Sequence, residues 1–136
     1  PTSGTVFLSL ADGDKPAGIV VAKRLRALGF GIVATPGTAD YLSRFGHMVD
    51  AVVGKVSEGA KITAVNLIAS GDISFVINTP QGRGGRTDGE AIRKAANVHR
   101  VCSVTTVEAA LAAAQGMAEQ IHHPLEVKSL QEYHGR

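Results

Sequence analysis

The chain contains no Trp, one Cys, two Tyr and four Phe, and no long apolar run. Each shortage removes a class of function. A single cysteine, Cys102, cannot close an internal disulfide, which agrees with a reducing compartment, so a cytoplasmic location is expected. So few aromatics cannot build a platform for stacking bases. Fourteen Lys and Arg against twelve Asp and Glu leave a net charge of +2, far from the dense basic stripe of a nucleic-acid binder. No stretch approaches the roughly 20 consecutive apolar residues of a membrane helix, and no charged-then-apolar leader opens the chain. Neither nucleic acid nor membrane is therefore an expected partner. His122 and His123 are adjacent and do not share a helix face, so no metal site is expected from them. The chain opens Pro1-Thr2-Ser3-Gly4 without Met, and a piece of a longer polypeptide is the expectation.

What is present is an alternation. Short apolar runs ("TVFLSLA", "GIVAT", "DAVVGK", "DISFVINT", "RVCSV") are separated by segments of helical period. In "KPAGIVVAKRLRALGF", Ile19, Ala22, Leu25 and Leu28 recur at three-residue steps while Lys23, Arg24 and Arg26 turn away; Pro16 suits a first helical turn and Gly29 a stop. "TADYLSRFG" and "EAIRKAANV" read as helices. "KITAVNLIASG" reads as a helix with Ile62, Val65 and Ile68 on one side. Thr105 and Glu108 form a capping box before a long helix carrying Val107, Ala110, Leu111, Ala114, Met117, Ala118 and Ile121. Cys102 falls in a strand and reads as a small core residue. With 136 residues and no linker or repeat, one domain over residues 1–136 is expected, large enough for its own core. Five strands alternating with helices predict an open, doubly wound α/β fold with a mostly parallel sheet covered on both faces.

In such sheets ligands bind at the carboxyl ends of the strands, near the point where strand order reverses. The predicted rim carries Asp14 and Lys15 after the first strand, Thr35 to Thr38 after the second and Lys55 after the third. Asn78 and Thr79 follow the fourth strand, and Thr105 and Thr106 the fifth. Two lysines, several hydroxyls, a carboxamide and at least one helix N-terminus on one edge favour a phosphate. Neither G-x-G-x-x-G after a strand nor G-x-x-x-x-G-K-[ST] occurs, so a phosphate monoester is expected rather than a dinucleotide or a P-loop triphosphate. The structural alternative for Thr38 is a plain helix cap.

The stretches "SLADGDK", "ATPGTADYL", "VGKVSEG" and "VINTPQGRGG", in this order, resemble the C-terminal regulatory domain of the carbamoyl-phosphate synthase large chain, of the methylglyoxal-synthase-like fold. The likeness runs from about Gly4 to "SLQEYHG". It implies an allosteric domain that binds a nucleotide monophosphate, UMP as inhibitor or IMP as activator, and regulates ATP-dependent carbamoyl phosphate synthesis for pyrimidine and arginine biosynthesis. It assigns the effector phosphate to Lys15, Thr35, Thr38, Lys55, Asn78 and Thr79, and the base and ribose to the vicinity of Ala91 and Ile92. It also implies partners: the remainder of the large chain and a glutaminase small chain. No cofactor is implied for this domain; ATP, Mg or Mn, and K ions belong to the full-length enzyme. The resemblance makes Thr105 an ornithine-side position, but Ser103 stands where ornithine-activated members carry Tyr, so UMP inhibition is the expectation. Pro80 stands where some members carry a second Thr. Arg83 and Arg86 flank Gly84-Gly85 and are candidates for closing over the effector or touching a neighbouring domain.

A methylglyoxal synthase needs a positioned base to remove a proton, and its relatives use an Asp in a Gly-Gly-Asp turn where this chain has Gly54-Lys55-Val56. A phospho-acceptor domain wants clustered carboxylates for Mg²⁺. Asp12 and Asp14 meet that in part, but the third strand ends in Gly54-Lys55. A ligand-free interaction domain is the remaining alternative. No residue of this chain is expected to be catalytic.

Overall fold

The computed structural model describes residues 3–54, 63–80 and 86–122. Five strands, β1 (Thr5–Ser9), β2 (Gly31–Ala34), β3 (Ala51–Val52), β4 (Phe75–Asn78) and β5 (Cys102–Val104), form one sheet in the order β3-β2-β1-β4-β5. Every pairing is parallel. The chain first moves outward from β1 through β2 to β3, then crosses back to β4 on the other side of β1. Strand order therefore reverses beside β1, where Ser9 pairs with Asn78 and Leu8 with Ala34.

Alternation along the central strands sends side chains to two cores. Val6, Leu8, Ile32, Ala34, Phe75 and Ile77 pack with α1 (Lys15–Ala27), α2 (Pro36–Arg44) and α5 (Val107–His122). Phe7, Val33 and Val76 pack on the other face with α3 (Ala64–Ala69) and α4 (Arg86–Val98). β1 and β4 lie under both layers and are buried along nearly all their length, which is why they read as continuous apolar runs.

The apolar face of α1 is Val21, Ala22 and Leu25, with Ile19 and Leu28 partly buried at its margin. Gly18 in this helix has a packing reason. A Cβ there would stand 2.2 Å from Leu10 Cδ1, and Leu10 is fully buried. Leu10 thus drops onto the bare backbone of α1 and anchors the turn that follows β1. Burial of a leucine of this kind contributes about 1.5–3 kcal/mol.

Three local expectations are corrected. The third strand is only two residues long and both are exposed, because β3 is an edge with one neighbour. Cys102 is exposed rather than core: β5 is the opposite edge, paired only to β4. The cap of α5 is Thr106, not Thr105. Its hydroxyl accepts the N–H of Ala109 at 3.0 Å, which puts Ala rather than Glu108 three residues into the helix, so no capping box forms. Of the predicted third helix, Ala64 and Ile68 form the buried side, and Ile62 lies outside the described residues.

Candidate functional site

The carboxyl ends of β1, β2 and β4 deliver Ser9, Thr35, Asn78 and Thr79 to one place, all buried to more than nine-tenths. Polar groups so buried must find partners, and the hydroxyls here, with that of Thr38, find them in one another and in the two residues after β1. The Thr38 hydroxyl accepts the N–H of Leu10 at 3.0 Å. The Thr79 hydroxyl accepts the N–H of Ala11 at 2.7 Å. Thr79 N–H in turn donates to the Ser9 carbonyl at 2.9 Å. Thr35 lies 3.2 Å, hydroxyl to hydroxyl, from Thr38 and 3.5 Å from Ser9. A hydroxyl that accepts from a backbone N–H keeps its own proton to give.

Helix α2 begins at Pro36, with Thr35 as its N-cap. Thr38 is therefore not the cap; it is in the first turn, and its side chain reaches across to β1. Thr35 makes no side-chain capping bond, so the first-turn N–H groups of Gly37 and Thr38 receive no acceptor from it. Pro36 has none to satisfy, which suits the first helical position.

Lys15 opens α1 and is the basic residue the described rim supplies. Its side chain is only 14% exposed, and its ammonium is 2.5 Å from the carboxylate of Asp12, which is 93% exposed. Lys15 Nζ also lies 3.2 Å from where a Cβ on Gly37 would stand. The cation therefore sits over the start of α2 while its own backbone starts α1. Helix N-termini carry partial positive charge, so a lysine wedged between two of them is placed against electrostatic preference. Such a position favours any anion that can reach it.

Asn78 completes this edge from the other side. Its Nδ2 is 3.3 Å from where a Cβ on Gly89 would stand, in the first turns of α4. Ala91 is half-buried in the next turn, whereas Ile92 packs in the core with Phe7 and Val76. Arg86 is the first residue of α4. Thr105 follows β5, one strand beyond Asn78, and is half-buried. Lys55, Arg83 and His123 lie outside the described residues. Among the described residues no three His, Cys, Asp or Glu side chains come together as metal ligands, and no helix is long and apolar enough to cross a membrane.

Ser9 is the residue the sequence reading missed. Its signal was present: it ends the first strand, in register with Asn78, yet small hydroxyls at strand ends are common. The far end of the sheet is organised differently. There Asp50 accepts from Arg26 Nη1 and from the Ile32 N–H, both at 2.8 Å, and these two donors hold its carboxyl below the usual carboxylate range. A cavity of about 270 Å³ opens near that end, lined by Ala22, Ile32, Leu42 and Met48 among others. The polar rim is marked by its buried hydroxyls and amide and by the Lys15 ammonium.

The model of the family described as "MGS-like domain" matches residues 18–105. The carbamoyl phosphate synthase large chain of Beutenbergia cavernae is 45% identical over 138 residues, covering 98% of this chain. That of Mycobacterium tuberculosis is 44% identical over 140 residues, and that of Archaeoglobus fulgidus 38% over 135, each again covering 98% of this chain. The chain spans 12% of the length of these relatives. The crystal structure of ForH superposes with a TM-score of 0.61 at 19% identity, covering 90% of this chain and 83% of that one, a likeness of fold.

Proposed function

The chain belongs to the MGS-like domain family, and from that premise we propose that it is the allosteric effector domain of a carbamoyl phosphate synthase large chain. Its ligand is a nucleotide monophosphate, UMP as inhibitor or IMP as activator. The relatives named above support the assignment to a large chain, because the likeness covers 98% of this chain. On this reading the whole protein is an ATP-dependent ligase of the cytoplasm, serving pyrimidine and arginine biosynthesis with a glutaminase partner. Its catalytic, ATP and metal sites then lie in the rest of the large chain.

The observation that carries the proposal is the position of Lys15, an ammonium at the junction of two helix N-termini beside buried hydroxyls. In the proposed complex the phosphate accepts from Lys15, from the first-turn N–H groups of α2 and from Thr35, while Asn78 offers amide protons from across the crevice. Thr38 and Thr79 hold the turn after β1 in place and keep their hydroxyl protons available to donate. Lys55 adds a second charge from the segment after β3. Nucleoside contacts fall to the α4 side, near Ala91. Among the described residues this edge offers hydroxyls, an amide and an ammonium, and the Asp12 carboxylate is engaged by Lys15 rather than free to act as a base, so methylglyoxal synthase chemistry is the less supported reading.

Occupancy regulates only if the effector binds two arrangements of the large chain unequally, and a coupling of about 1–3 kcal/mol is typical. The decisive experiment is calorimetric titration of the chain with UMP, IMP and inorganic phosphate, repeated on Lys15→Ala. Saturable mononucleotide binding, tighter than phosphate and at least tenfold weaker in the variant, is the expected outcome (about 1.4 kcal/mol per decade). Equal affinity in the two proteins would remove Lys15 from the site and the proposal with it.

A further inference from the structure

We propose that Asp12 is a competing anion built into this site: its carboxylate and an incoming phosphate claim the same ammonium, and that competition sets the affinity. The inference rests on the anion-binding reading above and adds to it a residue that tunes the site.

The pair is lopsided. Lys15 is 14% exposed and Asp12 93%. The lysine is held by its surroundings, over Gly37 and at the start of α1, while the carboxylate stands in water. If the two part, Lys15 need not move, and the carboxylate, 93% exposed, stays hydrated. A ligand phosphate can therefore take the ammonium without dismantling the rim.

Asp12 belongs to the 3-10 turn Asp12–Asp14 that joins β1 to α1. The turn is pinned from below by Leu10 and Ala11, whose N–H groups are bound by Thr38 and Thr79. The carboxylate is thus presented at a fixed place beside the positive ends of α1 and α2, where negative charge is favoured. Asp14, the N-cap of α1, makes no side-chain capping bond and adds a second negative charge to the same turn. A singly charged ligand offers Lys15 nothing that Asp12 does not already supply. A phosphate monoester, with nearly two charges and three acceptor oxygens, outcompetes a carboxylate and also reaches the first-turn N–H groups of α2, which the Thr35 side chain does not cap.

The test is calorimetric titration of the full chain and of Asp12→Asn with UMP and with inorganic phosphate, then the same pair of proteins in a Lys15→Ala background. Asp12→Asn is expected to bind both ligands about three- to tenfold more tightly, through loss of an exposed pair and of carboxylate–phosphate repulsion. Most of the gain should be lost when Lys15 is already Ala, because only the carboxylate–phosphate repulsion then remains to be relieved. Binding by Asp12→Asn alone, with none by the parent, would support the competition in its strongest form. Unchanged or weaker binding by Asp12→Asn, or a gain just as large without Lys15, would overturn the inference and leave the site itself standing. No binding by either the parent or Asp12→Asn would overturn both.

Discussion

Thr38 Oγ1 accepts the backbone N–H of Leu10 at 3.0 Å, joining residues 28 apart in sequence. This bond is buried and ties the first turn of α2 to the residue that follows β1. Thr38→Val keeps the shape and removes this acceptor from a buried N–H, at a cost of about 1–3 kcal/mol. Thr38→Ser keeps the oxygen and should lose much less. Urea denaturation followed by circular dichroism distinguishes the two; equal midpoints for Val and Ser would mean that the hydrogen bond contributes nothing.

Gly18 and Gly116 make a pair with opposite expectations. Both sit inside helices, where Gly→Ala ordinarily stabilises by about 0.5–1 kcal/mol. A Cβ at Gly116 meets nothing within 4 Å, whereas one at Gly18 would overlap Leu10 Cδ1. Gly116→Ala is therefore expected to raise the thermal midpoint, and Gly18→Ala to lower it by overpacking worth about 1–3 kcal/mol. Scanning calorimetry reads both signs. A stabilised Gly18→Ala would show that Leu10 has other room.

Asp50 supplies a pH signature at the opposite end of the sheet. Arg26 first, then the Ile32 N–H, hold its carboxyl below the usual range, with burial opposing them. A lowered folded-state value means that the stabilisation is complete above the unfolded value of about 3.9 and is lost as pH falls through the folded value. The stability gap between the parent and Asp50→Asn should thus stay constant from neutral pH to about pH 5 and close below about pH 4. A gap that widened with acid would assign the bond to the protonated carboxyl. The side chain is 54% exposed, so added salt should narrow the gap as well.

The layered α/β plan was legible because β1 and β4 are buried on both faces and therefore read as short unbroken apolar runs. The edges were less so. Ala51–Val52 and Cys102–Val104 have the same residue types as buried strands, and only strand order tells that each has a single neighbour. The rim was readable as a set of strand ends, because a parallel sheet brings Lys15, Thr35, Asn78 and Thr79 to one edge whatever the details. What the hydroxyls do there was not readable. Thr38 and Thr79 bind the N–H groups of Leu10 and Ala11, contacts across 28 and 68 residues that no local pattern encodes. The Lys15–Asp12 pair is local in sequence, but its meaning depends on Gly37 lying beneath the ammonium.

That glycine offers the sharpest separation of binding from folding. A methyl at Gly37 would stand 3.2 Å from Lys15 Nζ, while one at Gly13, in the turn that carries Asp12, would meet nothing within 4 Å. Alanine is a good helix former at the second position of α2, so Gly37→Ala should leave stability unchanged or slightly raised. The ammonium must then shift by a few tenths of an ångström, away from the N–H groups with which it would share a phosphate. Charge-assisted hydrogen bonds are short and directional, and affinity for UMP and for phosphate is expected to fall about three- to tenfold. Gly13→Ala is the control, with affinity unchanged. Calorimetric titration of both, beside their melting curves, decides the matter. Equal loss in the two variants would point to a general effect on the turn after β1, whereas loss confined to Gly37→Ala would fix the anion at the meeting point of Lys15 and α2.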